Sequence, residues 1–133
     1  MSAWTEIDDG LWQGGDGRSP VGRFDHVVSL CEWTDALTPG PPDQTAWFIA
    51  DGPLPEDLDR VWEIADDLSE RLDRGERVLV RCQMGLNRSG LLVATVLIQR
   101  GWDPDEAIER IRERRGDVAL SNPEFEAWVL GLR

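Results

Sequence analysis

Lysine is absent from this chain of 133 residues, so its fourteen basic side chains are all Arg, and 26 acidic side chains outnumber them. The resulting net charge of −12 sets up a field that repels nucleic acid and anionic membrane surfaces, which are bound through basic clusters. Neither is an expected partner. Because Lys is missing throughout, an Arg marks a site only where its place in a pattern says so.

Cysteine is almost as scarce. Two Cys and one His, without metal-ligand spacing, exclude a disulfide framework or a zinc site, and no metal or other cofactor is expected. With no apolar N-terminal signal, this composition points to a reducing compartment, the cytoplasm. Long apolar runs are missing too: the longest segment, Leu91 to Ile98, falls far short of the roughly 20 residues that span a bilayer. Repeats and low-complexity tracts are absent. A chain of this length buries one core, so residues 1–133 read as a single domain, expected to be monomeric.

Leu11-Trp12-Gln13, His26 to Leu30, Ala46 to Ala50 and Arg77 to Arg81 are short apolar runs that read as strands. The Thr38-Pro-Gly-Pro-Pro-Asp43 stretch between two of them reads as a surface loop. Leu58, Val61, Trp62, Ala65, Leu68 and Leu72 recur at helical spacing before a stop at Gly75. Asp103-Pro104 opens a helix running to Arg115, and Asn122-Pro123 opens the last one. Strands alternating with helices predict an α/β fold, a mainly parallel central sheet of four to five strands flanked by helices. In such folds ligands sit beyond the C-terminal ends of the strands.

One such end carries a nucleophile. The strand Val78-Leu79-Val80 leads through Arg81-Cys82-Gln83-Met84-Gly85-Leu86-Asn87-Arg88-Ser89-Gly90 into the apolar helix beginning at Leu91. Backbone N–H groups at a helix entrance are unpaired and point one way, so they hold an anion. A free Cys titrates near 8.5, and lowering that by about two units needs roughly 2.7 kcal/mol. A helix terminus supplies about 0.3 to 1 kcal/mol, or about 2 when partly buried, so loop amides and Arg88 must supply the rest. The same groups fit a phosphoryl group, with two oxygens on the guanidinium fork and the third on the N–H groups of residues 83 to 88.

The bare Cys-x5-Arg spacing arises by chance roughly one time in five in this composition, but Gly85 and a hydroxyl directly after the Arg lower that to roughly one in several hundred. Cys82 to Gly90 resembles the signature loop of the cysteine-dependent protein tyrosine phosphatases, and most of all their compact dual-specificity branch, from about Leu11 to the C-terminus. The resemblance implies phosphomonoester hydrolysis on phosphoproteins through a phosphocysteine. In this reading Cys82 attacks, while Gln83, Met84, Gly85, Leu86, Asn87 and Arg88 form the phosphate loop. It also implies that Ser89 assists the departure of sulfur, although an ordinary helix-start hydroxyl would also suit that position. The family usually has His before the nucleophile; this chain has Arg81.

The leaving oxygen needs a proton, so a carboxylic acid belongs above the loop. Asp51 follows the strand ending at Ala50 and is the candidate; Glu56 and Asp57 are alternatives that also suit a helix start. Asn122 reads as a cap. Cys31 suits a small buried apolar position, and it also resembles a partner Cys that some members of the family use to trap the oxidised nucleophile as a disulfide. His26 reads as a strand residue with no motif partner, and Arg110 to Arg115 as a solvated face with Glu106 to Arg110 pairing. Uncharged Gln83, Met84, Leu86 and Asn87 disfavour highly charged inositol lipids. Two alternatives remain: an RNA 5′-triphosphatase-like hydrolase and a catalytically weak, phosphate-binding module.

Overall fold

The computed structural model describes residues 3–15, 20, 22–31 and 43–132. Five strands form one sheet: β1 (Trp4–Asp8), β2 (Leu11–Gly14), β3 (His26–Ser29), β4 (Asp43–Ala46) and β5 (Val78–Arg81), in the order β1-β2-β5-β3-β4. All neighbours are parallel except β1 and β2, which form an antiparallel hairpin around Gly10 at φ 82°. β5 lies at the centre, where both ladder edges are satisfied, and all four of its residues are buried. The β-branched and Leu run at 78–80 suits that place, because a central parallel strand is apolar on both faces.

Four helices complete the fold: α1 (Leu58–Asp73), α2 (Arg88–Gln99), α3 (Pro104–Arg115) and α4 (Pro123–Leu130). α2 touches the other three helices as well as β2 and β5, and every residue from Ser89 to Leu97 is buried. A helix that apolar on all sides has to occupy the interior. The main core joins Val28, Val78 and Val80 to the inner faces of the helices, while alternate residues Val27 and Leu79 turn to a smaller cluster with Phe24, Trp4 and Trp12. The period of two along each strand divides these cores. Among the described residues, no helix is long and apolar enough to cross a membrane.

The helices follow the sequence expectations closely. The strand expected at Ala46 to Ala50 is displaced: the ladder runs over Asp43–Ala46 instead. This edge strand is polar and largely exposed, so apolar patterning cannot reveal it. The apolar Trp47 and Ile49 lie beyond it, donating their N–H groups to Ser29 O and Leu30 O at 3.0 Å each while packing against the core. Of the expected loop from Thr38 to Asp43, residues 38–42 lie outside the described residues.

Candidate active site

Cys82 directly follows β5 and its N–H still bonds to Gly14 O at 3.2 Å, so the ladder fixes the backbone of the candidate nucleophile. The side chain is buried. The Ser89 N–H donates to Cys82 Sγ at 3.4 Å, and Ser89 Oγ lies 3.3 Å from the same sulfur. Asn87 occupies the N-cap of α2 without a capping side-chain bond, and the first turn carries no acid. The positive end of the helix therefore faces the sulfur with no competing carboxylate in that turn.

The loop curls tightly because it rests on backbone. Gly85 has φ 71°, and a Cβ there would fall 2.5 Å from both Gly14 C and Arg115 Nη2. Side chains also approach from below. Gln13, wholly buried on β2, donates through Nε2 to Gly85 O at 3.0 Å and to Ser89 Oγ at 3.2 Å. Arg115, buried at the end of α3, donates to Gly85 O at 3.0 Å, Met84 O at 3.3 Å and Thr5 Oγ1 at 3.0 Å. Burial pulls the Arg115 pKa down, and an ionised Cys82 pushes it back up.

Sequence reasoning passed over Gln13, whose signal is a polar residue at an inward strand position. The Arg run is in part a correction: Arg114 stays on the solvated face, but Arg110, Arg112 and Arg115 make internal ties in place of the expected pairing from Glu106 to Arg110. Arg110 reaches Ile7 O at 2.8 Å and lies over Trp102. Arg112 holds Ala119 O, Leu120 O and Glu126. Three helix positions thereby secure β1, the segment before α4 and the phosphate loop.

Asp51 arrives from beyond β4 and meets the loop. Asn87 Nδ2 donates to one carboxylate oxygen at 3.2 Å and Asn122 Nδ2 to the other at 2.9 Å. Asn122 is a cap as expected, accepting from the N–H groups of Glu124 and Phe125, and it serves the acid as well. Its backbone N–H donates to Asn87 Oδ1 at 3.0 Å, closing a triangle of three residues. Arg88 Nη1 donates to Ile49 O at 3.2 Å, tying the acid-bearing segment to the loop. Of the alternatives, Asp57 is the N-cap of α1 and bonds Arg60 N, while Glu56 lines a separate apolar cleft with Trp47 and Leu54.

The neighbours of the cradle are equally specific. Arg81 is buried and donates to Ser29 Oγ at 3.0 Å. Cys31 is a half-buried free thiol; burial pushes its pKa up, while the nearby Arg88 and Arg81 charges and the Gln83 backbone amide pull it down. An ionised Cys82 pushes it up further, so the two sulfurs share one electrostatic neighbourhood. His26 is a buried strand residue whose Nε2 lies 2.9 Å from Thr45 Oγ1.

The chain is similar to known proteins both in sequence and in fold. The family model for the dual specificity phosphatase catalytic domain matches residues 51–133. A probable protein tyrosine phosphatase type IVA A of Dictyostelium discoideum is 33% identical over 105 residues, covering 75% of this chain and 63% of that protein. Cyclin-dependent kinase inhibitor 3 of Rattus norvegicus is 35% identical over 74 residues, 54% of this chain and 34% of that one. The chain thus spans between a third and just under two thirds of the length of these relatives. Among solved structures, Tk-PTP in the active form superposes with a TM-score of 0.77 at 26% identity, covering 96% of this chain and 93% of the other.

Proposed function

The chain belongs to the dual specificity phosphatase family, and from that premise we propose that it hydrolyses phosphotyrosine, or phosphotyrosine together with phosphoserine and phosphothreonine, on phosphoproteins through a phosphocysteine at Cys82. What supports this reading is that the Ser89 N–H lies on the Cys82 sulfur, that Arg88 of the same loop bonds Ile49 O, and that Asn87 of that loop bonds the Asp51 carboxylate. Phosphoryl transfer forms the S–P bond and breaks the P–O bond to the substrate. Arg88 and the loop N–H groups hold the non-bridging oxygens. Asp51 gives its proton to the leaving oxygen and then takes one from the attacking water. Ser89 meets the charge that returns to sulfur.

Exposed Gln83 and Met84 and half-buried Leu86 and Asn87 leave the cradle mouth without charged side chains of its own. A mono-phosphorylated residue suits that mouth better than a polyanion, which would also meet the net charge of −12. The same reading takes the protein as a cytoplasmic monomer that uses neither metal nor nucleic acid. Cys31 enters as a redox partner: peroxide converts Cys82 to a sulfenic acid and water, and Cys31 then displaces a second water to form the disulfide. Loss of two hydrogens on peroxide treatment, mapped to a Cys31–Cys82 peptide, tests that step.

The deciding experiment compares Cys82→Ser and Asp51→Asn with wild type on a phosphoserine peptide, an alkyl phosphate, and on p-nitrophenyl phosphate, an activated aryl phosphate, with a phosphotyrosine peptide alongside. Turnover is expected to vanish in the first variant. In the second it should fall far more on alkyl than on activated aryl phosphates, because only the former need the proton. Equal losses on both substrates remove Asp51 as the acid, and wild-type protein without turnover on any phosphopeptide removes the phosphatase reading.

A further inference from the structure

Ser89 Oγ sits between two heavy atoms, Gln13 Nε2 at 3.2 Å and Cys82 Sγ at 3.3 Å. Which way its single proton points decides whether it assists the sulfur, and Gln13 decides that. The amide of Gln13 cannot turn over. Its Nε2 faces Gly85 O at 3.0 Å and Leu86 O at 3.4 Å, and exchanging nitrogen for oxygen would set three oxygens against one another. Nε2 is therefore the donor to Ser89 Oγ, which leaves the hydroxyl proton nowhere useful to go but sulfur whenever sulfur carries charge.

The loop does not require Gln13 for its own satisfaction. Gly85 O also accepts from Arg115 Nε at 3.0 Å, and Leu86 O from Leu120 N at 3.2 Å. Among the described residues, Ser89 Oγ is the one of the three acceptors that has no second N–H donor. Gln13 is wholly buried, and its Oε1 finds no partner among the described residues. A buried orphan acceptor costs stability, so an apolar side chain would serve the core at least as well. A costly polar group aimed at one hydroxyl is a mark of function.

Building on the phosphocysteine reading above, we infer that Gln13 is a positioning residue that commits the Ser89 hydroxyl proton to Cys82 Sγ during breakdown of the intermediate. In that step water attacks phosphorus, the S–P bond breaks and its electron pair returns to sulfur, while Asp51 takes the proton of the water. A hydroxyl already donating to sulfur lowers the barrier to that departure. The preceding transfer, in which sulfur gives up charge, gains nothing from it. Gln13 should therefore act on one half of the reaction.

The test is rapid-quench kinetics with p-nitrophenyl phosphate on the full chain, with rates expressed per titrated active site so that misfolded protein does not count. Gln13→Met keeps volume and removes the donor. Its phosphorylation rate should stay within about twofold of wild type while hydrolysis of trapped phosphocysteine slows about tenfold, and its Tm should hold or rise. Adding Ser89→Ala to it should slow hydrolysis no further than Ser89→Ala alone. Gln13→Glu, which keeps shape but accepts the Ser89 proton, should slow hydrolysis more than Gln13→Met.

Unchanged hydrolysis in Gln13→Met, equal slowing of both steps, or losses that multiply in the double variant would each overturn the inference while leaving the phosphatase reading intact. Absence of any phosphocysteine in wild type overturns both.

Discussion

Arg115 and Gly85 are locked together: Arg115 Nε donates to Gly85 O at 3.0 Å, and a Cβ on Gly85 would stand 2.5 Å from Arg115 Nη2. The last turn of α3 thus supports the phosphate loop from beneath, where the charged head of Arg115 meets backbone carbonyls instead of water.

Gly85→Ala should accordingly be severe. The new methyl meets Gly14 C and O at 2.5 and 2.7 Å as well as Arg115, and the residue must keep φ 71°. Two strained terms act together, and a loss of about 2 kcal/mol or more is expected. Urea unfolding measures it; a variant as stable as wild type would show that the loop moves aside freely.

Arg115→Lys tests the fork against the charge. A single ammonium cannot reach Gly85 O, Met84 O and Thr5 Oγ1 together. We expect stability to fall by about 2 kcal/mol and phosphatase turnover to drop at least tenfold, with faster amide exchange at residues 83–87. Full activity in the Lys variant would mean that charge alone suffices.

Asn122 carries two roles that substitution separates. Asn122→Ala removes the cap on Glu124 N and Phe125 N, costing about 1 kcal/mol, and also frees Asp51. Asn122→Asp keeps the cap but brings a second carboxylate against Asp51. Stability should fall in both, in the first through the lost cap and in the second, with the cap kept, through repulsion of Asp51 and the donor lost to Gly52 O. Turnover of alkyl phosphates should fall in both, most in the second, as steady-state assays beside thermal melts will show.

His26 predicts a pH dependence. Burial is the main cause holding its pKa below the ordinary 6.5, and the Arg71 charge adds to it, against Asp67, Asp43 and Glu76, which raise it. A depressed base binds its proton more readily when unfolded. Stability is therefore complete above about pH 6.5 and declines as pH falls, by at most about 1.4 kcal/mol per unit until the folded group itself protonates. Urea midpoints at pH 7.5 and 5.5 should differ in wild type and converge in His26→Gln. Equal slopes in both proteins would assign the decline to other groups.

The residues that local pattern revealed share one property. Cys82, Arg88 and Ser89 lie within a single strand-loop-helix, so their relative placement follows from chain connectivity, and the caps at Asp57 and Asn122 act on neighbours a turn away. That Asp51 comes to lie against the loop of Cys82 could be expected because a parallel strand delivers its C-terminal end to the same edge, and it holds although the strand ends earlier, at Ala46. β1 and β4 were missed or displaced because an edge strand needs apolar residues on one face at most, and the exposed Asp43 and Gln44 show none.

By itself, then, the sequence determined the strand-loop-helix around Cys82, the four helices and the alternation that makes the sheet parallel, since each of these is settled by steric and hydrogen-bonding preferences over a few residues. Only the tertiary structure decided that Gln13 lies under Ser89, that Arg115 lies under Gly85, and that Asn122 grips Asp51. Those pairs depend on strand order, register and helix docking, which are settled when the whole core packs and which no short window of residues contains.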